Sequence, residues 1–184
     1  TVAVSEAIPE EELLDPPAGA APEEEHDPHV WFDPSLWAHS VEAIRDQLSE
    51  LDSEGAAEYE RNADALLAEM DDLQRAGEER LGAIPERQRV LITSHDAFEY
   101  FGRAFGLDVH AIQGLSTADE ATTADIDRIA DLVAERDVPA VFVESSGPRQ
   151  TIEAVVAAVR DRGGDVEIGG ELYSDAAGEI GTPE

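Results

Sequence analysis

From Arg89 onward, short β-branched runs and amphipathic stretches take turns. The strand-like runs are RVLITSH, DVHAIQGL, AVFVESS and the start of DVEIGGELYSD, and between them stand DAFEYFGRAFGL, TTADIDRIADLVAERD and PRQTIEAVVAAVRDRGG. Apolar runs of that length bounded by polar segments read as buried strands, and the longer stretches with 3.6-residue periodicity read as helices. Strict alternation leaves few folds open. It predicts an α/β lobe built on a parallel sheet with right-handed crossovers and flanking helices, with its ligand side at the carboxyl ends of the strands. His95 and Asp175 both fall at such ends. SHDAFEYFG and SSGPRQ are poor matches to Gly-rich phosphate loops, which argues against nucleotide binding.

The first half of the chain has a different grammar. TVAVSEAI alternates and is β-branched, so a strand is expected there, followed by a loop through EELLDPPAGAAPEEEHDPH. Asp33 and Pro34 then form a helix start, N-cap followed by proline at the first helical position. Behind them Trp37, Val41, Ile44, Leu48 and Leu51 make one apolar stripe. After a break at LDSEG, a second stripe (Tyr59, Ala63, Leu66, Met70, Leu73) predicts a helix from Ser53 to Leu81. At 1.5 Å per residue it would be on the order of 40 Å long, enough to bridge two lobes. This reading divides the chain into residues 1–51, whose strand either joins a sheet formed later or ends an N-terminal lobe begun outside this chain; 52–84, a long helix that could link two lobes; and 85–184, a C-terminal α/β lobe. The two stripes could instead form a helical interaction module, although such stripes more often bury against their own domain.

Charge narrows the range of partners. Acidic residues number 43 against 12 basic ones, every one of them arginine, for a net charge of -31. Such a surface repels nucleic acid and anionic membrane. With 42% hydrophobic residues in periodic runs, the chain is expected to fold under a solvated acidic coat and not to remain disordered. Cysteine is absent, so disulfides and thiolate metal sites are excluded. No apolar run approaches membrane-spanning length.

Without cysteine, a transition-metal site needs imidazole and carboxylate groups gathered from several elements. His29, His95 and Asp175 could converge at one cleft, but no short signature such as H-E-x-x-H supports this from spacing. Taken singly, His95 reads as a capping or buried histidine and Asp175 as an N-cap for the AAGE turn. His26 and His29 are nearly equivalent within EEEHDPHVWFDP. His39, off the apolar stripe of its helix, and His110, within a strand, take structural readings. A zinc-dependent hydrolase with an open metal position is a rival, and Glu144 at the end of AVFVESS is its candidate general base.

Taken together, DPHVWFDP, EYERNADALLAEMDDL, RVLITSHDAFEYFGRAFGLDVHAIQGLST, AVFVESS and GGELYSD resemble, in order and over nearly the whole chain, the zinc- and manganese-binding solute-binding proteins of ABC transporters. The resemblance implies two α/β lobes joined by one rigid helix and a single metal ion held between them. It implies ligands at His29 of DPHVW, His95 of SHDAF and Asp175 of YSD, with His26 a possible accessory. A fourth ligand, a histidine of the first lobe, has no counterpart here. The expected chain is therefore a remnant of the first lobe with the linking helix and second lobe, stopping short of a final helix. Zn2+ is the expected ion and Mn2+ the alternative, because His95 makes the ligand set nitrogen-rich. The implied work is extracytoplasmic capture and delivery to a permease, with no catalysis and with any membrane attachment through an anchor.

Acid in excess with lysine absent is also the compositional habit of proteins from saline habitats, where salt screens self-repulsion. The melting temperature is expected to rise between dilute buffer and molar salt, as followed by circular dichroism. An unchanged value would remove this reading of the composition.

Overall fold

A computed structural model of the chain describes residues 3–16, 25–114, 121–176 and 178. Helix α1, Pro34–Leu51, starts as its sequence dictates: the Asp33 carboxylate accepts from the N–H groups of Ser35 and Leu36, and proline occupies the first turn. Helix α2 runs Ala56–Gly82, three residues shorter at its start than expected, because Ser53, Glu54 and Gly55 form the turn that folds it back on α1. At 27 residues it spans about 40 Å. Their shared seam is incomplete. Leu36 and Val41 are buried, but Leu51 is 83% exposed and Leu73 61%. Among the described residues no helix is long and apolar enough to cross a membrane.

The alternating half forms strands β1 (Val90–Thr93), β2 (Asp108–Ala111), β3 (Ala140–Glu144) and β4 (Glu167–Leu172), with helices α3 (Glu99–Phe105), α4 (Thr123–Arg136) and α5 (Arg149–Asp161) between them. β1 pairs in parallel with β2, and β3 with β4. β1 also lies against β3, but the described residues show two parallel pairs where one continuous sheet was expected. Just beyond the carboxyl end of β1, the Glu144 side chain accepts the N–H groups of Ser94 and His95.

Every residue of β1 is buried, as a strand covered on both faces must be. Val90 and Ile92 join Val141, Val143 and the apolar faces of α4 and α5 in the main core. Leu91 points to the other side, into a cluster with Ala97, Phe98 and Val109, against which Phe142 and Leu172 pack. Ile168 and Leu172 of β4 serve opposite clusters although an even number of residues separates them. A register shift opposite Val141 and Val143 makes this possible. It falls at Gly169 and Gly170, and a Cβ at Gly169 would stand 2.4 Å from the Phe142 ring.

One sequence expectation fails outright. The TVAVSEAI strand is a short 3-10 helix, Val4–Ala7, and a second such turn covers Glu10–Glu12 within the expected loop. No described strand edge is offered to it. Ile8 instead enters a cluster with Val30, Leu36 and Tyr100, so burial of one side chain, not ladder pairing, decides the local structure.

Asp33→Ala removes the α1 cap and the carboxylate facing Arg103. Loss of a cap of this type costs about 1–2 kcal/mol. Urea unfolding is expected to show a lower midpoint at an unchanged slope.

Candidate functional site

His29 follows the proline of the DPH turn and is 3% exposed. The turn is pinned from above. The Tyr100 hydroxyl of α3, fully buried, donates to the Asp27 carbonyl at 3.1 Å and accepts the Leu14 N–H at 2.9 Å, while the Asp27 N–H donates to Leu14 O. Within the turn one oxygen, Asp27 Oδ1, receives both the His29 N–H at 2.9 Å and ring Nδ1 at 2.7 Å. An ionised carboxylate only accepts, so Nδ1 carries the proton and Nε2 presents a lone pair.

His95 lies two residues beyond the end of β1 and is 1% exposed. Its ring repeats the arrangement with Glu144, whose Oε2 lies 2.5 Å from Nδ1. At that separation the charge of Glu144 favours a proton on Nδ1. Burial alone would lower the imidazole pKa. The hydrogen bond and charge of Glu144, helped by Asp175 and Asp96, outweigh it and hold His95 above its ordinary 6.5. For Glu144 burial acts upward, but hydrogen bonds from the His95 ring and backbone win, and its pKa lies below the ordinary carboxylate value.

Asp175 follows β4 and is brought in by the shift at Gly169 and Gly170. Its side chain is 38% exposed, so the site is lined by two buried rings and closed by one accessible carboxylate. Oδ1 stands 3.5 Å from His29 Nε2, and Oδ2 stands 3.3 Å from His95 Nε2. The rings face each other edge-on with centroids 5.7 Å apart. One ligand atom from each of the three residues lies within 4.8 Å of the others.

The remaining candidates separate from this group. His26 is half-buried in the same turn but outside the converging set. Glu25 is exposed, and Glu23 and Glu24 lie outside the described residues, as do Ala177 and Glu179 of the AAGE turn. His39 stays on α1, and His110 faces Asp108 of its own strand at 3.1 Å. Glu144 cannot serve as a general base, since its side chain is fully buried and both oxygens are engaged by Ser94 and His95. Sequence reasoning missed Asp27 as the partner of His29. The signal was present in the D-P-H spacing, which lets an Asp side chain reach the backbone and ring two residues on. It also missed an acidic flank. Burial, then repulsion from Asp96, Asp27 and Asp108, pushes Glu99 up to about 7, so its negative charge weighs against the fold as pH rises through that value.

The model of the family "Zinc-uptake complex component A periplasmic" matches residues 1–184. The chain is 44% identical over 183 residues to the zinc-binding protein TroA of Treponema pallidum, covering all of this chain and 58% of that protein. It is 42% identical over 184 residues to the manganese-binding lipoprotein MntA of Bacillus subtilis, covering all of this chain and 59% of that protein. The solved structure of the periplasmic zinc-binding protein TroA superimposes with a TM-score of 0.88 over 98% of this chain and 64% of that one, at 44% identity. The chain therefore spans somewhat more than half the length of the relatives it matches, and those relatives are named for metal binding, not for an enzymatic activity. On the match over its full length, the chain belongs to the zinc-uptake component A family of metal-binding proteins.

Proposed function

We propose that this chain captures a transition-metal ion outside the cytoplasm and delivers it to an ABC transporter permease, with His29, His95 and Asp175 as ligands. One observation carries the reading. With each Nδ1 facing a carboxylate, the two neutral rings turn their Nε2 lone pairs toward the Asp175 oxygens at 3.3 and 3.5 Å. Such a set attracts a cation, a proton at low pH or a metal ion above it. Ligand bonds of about 2.0–2.1 Å in a tetrahedral site place neighbouring ligand atoms roughly 3.3 Å apart; each Nε2 lies 3.3–3.5 Å from an Asp175 oxygen, and the set falls within 4.8 Å. Nitrogen-rich donors and this spacing favour Zn2+, with Mn2+ next.

Residues 1–51 would belong to one lobe, 52–84 to the connecting helix and 85–184 to the second lobe, the ion lying between lobes. A further histidine from the first lobe would complete four-coordination, and a lipid anchor would keep the protein at the membrane surface. The two buried rings would form the fixed side of the site. The accessible Asp175 is the arm most able to withdraw and release the ion to the permease.

Zinc titration of the full-length protein against a chelating dye tests the assignment. His29→Ala and His95→Ala are each expected to weaken binding by at least roughly tenfold, the scale of losing a ligand or its support. Unchanged affinity in both would remove the site.

Protons compete with the ion for His95, whose pKa is raised. Zinc affinity is expected to fall as pH drops through that raised value, so the loss begins at higher pH than for an ordinary histidine. In the ion-free protein the sign reverses. The His95 contribution to stability is complete below about 6.5 and fades as pH rises through the raised value, which thermal unfolding across pH would follow.

A further inference from the structure

We propose that Glu144 is a positioning residue for ion capture: it fixes His95 in the tautomer that binds metal and ties that ligand to the segment bearing Asp175. The inference rests on the capture reading above. Glu144 is the last residue of β3, and its side chain is fully buried. Oε1 accepts the Ser94 N–H at 2.6 Å and the His95 N–H at 2.9 Å, while Oε2 meets the His95 ring at 2.5 Å. One carboxylate therefore holds both the backbone and the ring of the same ligand. Ser174, the neighbour of Asp175, lies near enough to help hold the Glu144 pKa down, and its hydroxyl meets that of Ser146 at 2.5 Å. The ends of β1, β3 and β4 are joined at this one side chain where β1 and β3 share no ladder among the described residues.

A buried carboxylate is expensive unless its lone pairs are filled, and a purely structural role would be met by the two backbone donors alone. The third contact, to ring Nδ1, has a chemical consequence: it leaves the Nε2 lone pair free toward the site. Asp27 does the same for His29 with its own oxygen. The site is thus built from two carboxylate–imidazole units whose free nitrogens face one carboxylate.

Glu144→Gln separates the roles. Its amide oxygen can still accept from Ser94 and His95, but its NH2 group then faces Nδ1, and the ring must carry its proton on Nε2 to avoid opposing donors. In the full-length protein the expected result is zinc affinity roughly 10–100-fold weaker by dye competition. Nitrogen-15 NMR of the ion-free protein at alkaline pH should show the His95 proton moving from Nδ1 to Nε2. Glu144→Asp keeps an acceptor and should retain the Nδ1–H form. Binding within twofold of wild type in Glu144→Gln, with an unchanged tautomer, overturns the proposal. So does a wild-type His95 that carries its neutral-ring proton on Nε2, a measurement that does not depend on any variant folding. If His95→Ala abolishes zinc binding while Glu144→Gln does not alter it, the positioning role falls and the capture reading stands. If His95→Ala binds zinc as wild type does, the capture reading falls.

Discussion

Two buried imidazoles converge on one carboxylate, each Nε2 standing 3.3–3.5 Å from an Asp175 oxygen, and the rest of the site is arranged around that approach. The rings cannot turn away to water, because both are buried and their other nitrogens face carboxylates. Positive charge is therefore favoured at this point, and for His95 it shows as a pKa held above the ordinary value. Local interactions elsewhere hold the groups there. Tyr100 is an example: fully buried on α3, it spends its hydroxyl on the backbone of the Asp27 turn and of Leu14, and thereby holds a loop histidine as firmly as a strand-end one.

The three arms differ in how they are held. His29 depends on a short turn locked by side-chain and backbone bonds, and His95 on the end of a strand buried on both faces. Asp175 lies beyond a register shift on a strand with two consecutive glycines, and its side chain remains accessible. In the proposed capture role, affinity would need all three in place, whereas release would need only one to leave. The distribution of burial would then give rigidity to the imidazoles and movement to the carboxylate.

Much of this was legible beforehand, for physical reasons that are specific to each element. The α1 start was readable because Asp-Pro fixes a cap and a first turn locally, and the later strands and helices because burial on two faces or one imposes its own period. TVAVSEAI was misread because alternation is necessary for a strand but not sufficient. A strand also needs an edge, and the segment found a hydrophobic pocket for Ile8 instead. The link between the ends of β1 and β3 escaped notice because it runs through a side chain 50 residues away. Single positions could not distinguish His29 and His95 from ordinary histidines, since nothing within five residues reveals that Asp175 will face them. Their convergence became an expectation only through the order of whole motifs.

Carboxylates in this chain do two opposite kinds of electrostatic work, and composition alone merges them. The many exposed ones contribute to a net charge of -31 that salt can screen. Asp27 and Glu144 are buried, beyond the reach of most screening, and each is surrounded by N–H donors that satisfy it. Their charge acts on the imidazoles, and for His95 it holds the pKa above the ordinary value. Removing a surface acid should leave that polarisation intact at any ionic strength, whereas neutralising a buried one alters which imidazole nitrogen can bind. The acidic excess of the whole molecule and the cation-seeking character of its cleft are therefore separate properties that happen to share a sign.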